Sequence, residues 1–138
     1  MKKNKALLFT INKKGHSKSN PDLLRIILSP EHTKLDFGYT AKEMYDSGGW
    51  IRIAPTTYVE IIETGKQFIL DRTEGIPISP VHHYFESSKE WRYFSLYFPA
   101  IPQTDCTLNI IEIKNGSRND FNYYGVKLKM SEGVEVLE

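Results

Sequence analysis

Between Trp91 and Phe98 the side chains change character at every step. Phe94, Leu96 and Phe98 fall on one side of an extended chain; Trp91, Tyr93, Ser95 and Tyr97 fall on the other. Successive side chains of a strand point to opposite faces, so this alternation predicts a strand with one apolar face and one mixed face. Thr33 to Thr40 repeats it, with Leu35, Phe37 and Tyr39 opposite Lys34, Asp36 and Gly38. A chain built from such segments must pair its strands and close their apolar faces over a shared core.

Turn residues punctuate the rest. Ala6 to Ile11 is a short apolar run ended by Asn12, Lys13, Lys14 and Gly15, and Leu23 to Leu28 is closed by Ser29 and Pro30. Tyr58 to Ile62 and Gln67 to Asp71 flank a Glu63–Lys66 turn containing Gly65, a hairpin pattern. Pro77 and Pro80 make Gly75 to Pro80 an edge segment or extended connection, because proline donates nothing to a ladder. Thr107 to Ile113 and Phe121 to Met130 are the last two strands, with Tyr124, Val126, Leu128 and Met130 expected to face inward and Asn115-Gly116 expected to turn the chain between them. Ala41 to Ser47 has helical character but is too short to form alone.

The sum is about eight or nine short strands without a long helix, an all-β antiparallel sandwich of two sheets, Ig-like in size, with a closed barrel as the alternative. At 138 residues, 40% hydrophobic and 25% charged, the chain fits one domain with a core of its own. The domain spans 1–138, with mobile tails expected at about 1–5 and 131–138.

The charge balance restricts partners. Eighteen basic and 17 acidic residues give a net charge of +1, which offers no general attraction to nucleic acid. The local excess of Lys2, Lys3, Lys5, Lys13, Lys14 and Lys18 reads as a solvated, frayed terminus. No stretch approaches the roughly 18–20 apolar residues of a membrane-spanning helix. The expected location of the chain as written is cytoplasmic; a removed leader would make it periplasmic or place it at the cell surface.

The segments Trp50–Ile53, Thr57-Tyr58, Gly65–Phe68 and Glu74–Ile76, followed by Phe94–Pro102, Leu108–Glu112 and Phe121–Val126, together resemble a group of uncharacterised Ig-like β-sandwich domains common in Bacteroides-type bacteria. In that group a phrase of the form F-x-L-x-F-x-x-[LI]-P precedes an I-E strand and a final aromatic strand ending in Gly-[IV]. The resemblance covers roughly Leu23 to Leu128. It implies a sandwich with an accessory or interaction role and supplies no catalytic residues. Many relatives look exported, whereas this chain carries no recognisable leader.

Reactive constellations are scarce. No Gly-x-Ser-x-Gly elbow or phosphate-binding glycine loop occurs. Cys106, the single cysteine, lies beside Asp105, which raises rather than lowers a thiol pKa. His82, His83 and Glu86 form the one metal-like cluster, although adjacent histidines on a regular strand point to opposite faces and zinc needs three or four ligands. No cofactor is implied. The richer signal is aromatic: Trp91, Tyr93 and Tyr97 share the mixed face of their strand, and exposed aromatics on a rigid sheet suit a protein or glycan surface. The expected role is a non-catalytic binding or interaction module, with a small metal binder or metal-assisted enzyme using His82, His83 and Glu86 as the alternative.

Overall fold

The computed structural model describes residues 5–14, 21–40, 50–51, 53–78, 83–84, 91–113 and 121–136, with the backbone alone for Thr40, Trp50, Ile51, His83, Tyr84 and Trp91. The expected helical turn at 41–47 and the Asn115-Gly116 turn lie outside these residues.

The described residues form an antiparallel β-sandwich that is not closed into a barrel. The strands are β1 (Ala6–Lys14), β2 (Asp22–Leu28), β3 (His32–Thr40), β4 (Trp50–Ile51), β5 (Tyr58–Ile61), β6 (Gln67–Ile69), β7 (Arg72–Glu74), β8 (His83–Tyr84), β9 (Trp91–Pro99), β10 (Cys106–Ile111), β11 (Asn122–Leu128) and β12 (Val134–Val136). The large sheet has the order β12-β1-β2-β3-β9-β7, the small sheet β11-β10-β5-β6, and β4 pairs with β8 apart from both.

The alternation in β9 and β3 is realised as expected. Phe94, Leu96 and Phe98 from β9, with Leu35, Phe37 and Tyr39 from β3, enter the core. They meet Val59, Ile61, Leu108, Ile110, Val126 and Leu128 from the small sheet. Phe37 stacks on Phe94 with ring centroids 5.1 Å apart and tilts against Tyr123 at 5.5 Å. Complete burial of a side chain such as Leu96 or Leu108 stabilises the fold by about 2 kcal/mol. Tyr123, 1% exposed, also meets the polar requirement of its hydroxyl, which donates to the Pro21 carbonyl at 2.7 Å.

The chain passes between the sheets at both edges of the sandwich. After β6, the Leu70 N–H still donates to Thr57 in the small sheet (2.8 Å), whereas the Asp71 N–H donates to Tyr97 in the large one (2.8 Å). After β11, one 3₁₀ turn, η1 (Met130–Glu132), leads through Gly133 into β12. A Cβ on Gly133 would lie 2.8 Å from Phe9 Cζ, so glycine lets the crossing chain lie against that ring.

Three expectations are corrected. Residues 131–138 were expected to be a mobile tail, but Val134–Val136 pair with Ala6–Leu8, and Lys5 Nζ reaches Glu135 at 3.2 Å. The first strand does not stop at Ile11. An extra residue between Thr10 and Lys13, with Asn12 at φ 50°, forms a bulge, and pairing resumes through Lys14. Tyr124 does not face inward: it is 48% exposed and Tyr123 takes the core position. The cause is a second bulge, where β11 spends one residue more than β10 between Val126 and Tyr123, with Gly125 at φ 66°. That residue moves the earlier part of the strand to the opposite phase.

Candidate functional site

The outer face of the large sheet carries the most organised set of polar side chains. Strand register aligns Thr10, Arg25, Asp36, Ser95 and Glu74 in one row across β1, β2, β3, β9 and β7. Leu8, Ile27, Lys34, Tyr97 and Arg72 form the row beside it. In a regular sheet such cross-strand neighbours lie about 5 Å apart, within direct reach of one another.

Asp36 is the centre of this arrangement. Its side chain is 11% exposed, and its carboxylate accepts from Arg25 Nε at 2.5 Å and Ser95 Oγ at 2.6 Å, with Lys34 Nζ 3.8 Å away. A buried carboxylate is costly unless charge and hydrogen bonds compensate it, and here both are supplied by adjacent strands. Beside it, the Tyr97 hydroxyl donates to Glu74 Oε1. The Arg72 guanidinium lies 3.7 Å from the Tyr97 ring centroid, with Lys34 Nζ at 5.8 Å and the His32 ring at 5.1 Å. Burial raises the Tyr97 phenol pKa to about 12, reinforced by its hydrogen bond to Glu74 and the negative charges of Glu74 and Asp36, against the opposing effect of Arg72.

These rows border an open cleft of about 770 Å³, lined by Leu8, Thr10, Asn12, Leu24 and Tyr93 together with the polar row. Tyr93 is 68% exposed. It pairs across the sheet with Gly38, where an added Cβ would lie 3.3 Å from Tyr93 Cε1 and 3.4 Å from Leu24 Cδ1. The missing side chain therefore makes room for Leu24 and the ring to form an apolar shelf beside the charged row. On the rim, Gly75 has φ 83°, and Arg92 Nε donates to its carbonyl at 2.7 Å.

The expected aromatic trio is thus divided. Tyr93 is exposed and lines the cleft. Tyr97 was expected on an exposed surface but is 6% exposed, because Arg72, Lys34 and His32 crowd its ring from neighbouring strands. Trp91 belongs to β9, but its side chain lies outside the described residues. The residues that sequence reasoning missed are Arg25, Asp36, Ser95 and Glu74. Their signal was the polar phase of each alternating strand, but the register that aligns them was not readable.

The metal cluster cannot be placed: His82 and Glu86 lie outside the described residues, as does the His83 side chain. Among the described residues no group of three histidine, cysteine, aspartate or glutamate side chains is arranged to hold a metal ion. Cys106 is buried, and burial, followed by Glu63 and Asp105, pushes its thiol pKa up. That environment disfavours the thiolate a nucleophile requires. Among the described residues no helix is long and apolar enough to cross a membrane. Comparison of the chain with protein-family models, curated proteins and solved structures gives no match.

Proposed function

We propose that this domain is a non-catalytic binding module whose ligand occupies the cleft on the outer face of the large sheet. The observation that carries the reading is the combination of an exposed ring, Tyr93, with a row of polar groups already fixed by one another. Side chains locked before binding lose little conformational freedom when a ligand arrives, which is what a recognition surface requires. The Ig-like resemblance, with its accessory or interaction role, points the same way.

The row lies where β2 departs from regular pairing with β3, between Leu23 and Arg25, yet its side chains bind one another rather than backbone groups. Apolar groups often hold a fold as well as an intact ion pair of this kind, so the mutual engagement of these polar groups supports a recognition role.

The test is affinity capture from an extract of the source cells, analysed for both protein and carbohydrate, with wild type beside a Thr10→Trp/Tyr93→Ala variant that fills the cleft and removes the ring. A species retained by wild type and lost by the variant is expected. Equal retention by both, or no enrichment by wild type, contradicts the reading.

A further inference from the structure

We infer that the ligand of this cleft is a neutral oligosaccharide, bound across the strands against Tyr93; this rests on the reading of the chain as a binding module. The charges come first. The cleft is lined by two cationic side chains, Arg25 and Lys34, and two anionic ones, Asp36 and Glu74. They cancel, and they are engaged: Arg25 and Lys34 converge on Asp36, and Glu74 accepts from Tyr97. A polyanion needs cations free to neutralise it; the cleft lining itself is balanced, and of the cations beside it Arg72 lies against the Tyr97 ring and Arg92 donates to the Gly75 carbonyl.

Position argues against the second common class of extended ligand. A peptide gains affinity by adding as a strand to an open sheet edge, where main-chain groups pair. The polar row of this cleft lies over β2, β3 and Ser95 of β9, each paired on both sides within the sheet, while β7 pairs with β9 from Ser95 to Tyr97 and ends before Tyr93. The floor beneath the row therefore offers side chains rather than free backbone groups.

What remains matches a sugar chain. Polyols present many hydroxyls, each both donor and acceptor, alongside apolar ring faces. The cleft supplies the counterparts. Arg25 is half exposed, and with Nε given to Asp36 its two terminal amino groups are left to donate. Thr10, Asn12 and Ser95 add hydroxyl and amide groups, and Tyr93 with Leu24 provides the apolar shelf. From Thr10 to Glu74 the row crosses five strands, a span of roughly 19 Å at ordinary strand spacing. Such a track fits a linear chain of several sugar units rather than a single one.

Calorimetric titration of the purified chain with maltohexaose, cellohexaose, xylohexaose and mannohexaose tests this. Saturable binding of at least one of them is expected, with Kd below about 1 mM, weakened about tenfold or more by Tyr93→Ala and by Thr10→Trp. Thr10→Trp blocks the cleft without touching the Gly38–Tyr93 pair, so it carries the test should Tyr93→Ala fail to fold. No saturable binding of any of the four at about 5 mM, or binding that neither substitution weakens, overturns the inference. If the sugars fail while a protein is captured through the same cleft, the sugar assignment falls and the binding-module reading stands; if neither binds, both fall.

Discussion

The outer faces of the two sheets are both polar, yet they use their polar groups differently. On the small sheet, side chains serve the backbone. Asn109 Oδ1 accepts from the Gly125 N–H at the bulge (3.0 Å). Asn122, fully buried, accepts from the Glu112 N–H (2.9 Å) and donates to the Ile113 carbonyl (2.9 Å). Glu63 accepts from both the backbone N–H and the hydroxyl of Thr107, at 2.9 Å each, and the backbone bond does most to lower its pKa. Each of these groups repairs an interruption of regular pairing. On the large sheet bulges in β1 and β2 also flank Arg25, but Arg25, Asp36, Ser95, Glu74 and Tyr97 bind one another rather than backbone groups. The first pattern is explained by folding. The second joins side chain to side chain, and it is the pattern on which the proposed binding surface rests.

Four substitutions sharpen this contrast, and chemical denaturation measures each. Gly75→Ala has the largest expected effect, about 3 kcal/mol, because the new methyl meets Tyr93 O at 2.7 Å while φ stays at 83°. Asn122→Ala follows at about 2 kcal/mol, since it removes a fully buried amide that bonds both the Glu112 N–H and the Ile113 carbonyl, and leaves the Glu112 N–H its longer bond to the Phe121 carbonyl. Asp36→Ala costs about 1.5 kcal/mol, less than a deeply buried ion pair, because Arg25 is half exposed and returns to water. In a double-mutant cycle Arg25 and Asp36 should couple by about 1 kcal/mol, whereas Arg25 and Asn122 should not couple. Gly125→Ala costs about 1 kcal/mol; it has the same left-handed strain as Gly75 but nothing within 4 Å to clash with.

The smallest effect lies in alkali. The Tyr97 phenol has a pKa of about 12 when folded against 10.0 when unfolded, so the fold favours its protonated form. The associated stability is fully present below pH 10 and is lost as pH rises through about 12. Denaturation midpoints should therefore fall less steeply over that range in Tyr97→Phe than in wild type. Equal slopes would remove Tyr97 from the network.

The core was legible where alternation is unbroken. Phe94, Leu96 and Phe98, and Leu35, Phe37 and Tyr39, could be assigned to one side without a structure, and the turn containing Gly65 located the β5–β6 hairpin. Legibility failed where one residue breaks the period: Tyr123 and Tyr124 look interchangeable until the bulge at Gly125 is known. It failed again where pairing joins distant segments. Nothing local in Val134–Val136 announces that Ala6–Leu8 lies beside it. The candidate site belongs to this last class. Residues 10, 25, 36, 95 and 74 share a face by local rule, but only the register of five strands puts them in one row.

The measurement that bears most directly on the large face as the binding surface is a map of backbone amide shifts during titration with the tightest-binding of the four sugars or with the captured partner. The expected result is a contiguous set of perturbed amides around Thr10, Arg25, Asp36, Tyr93 and Ser95, with β5, β10 and β11 unmoved. Perturbations concentrated on Tyr58, Asn109 and Tyr124 of the small sheet would contradict the account.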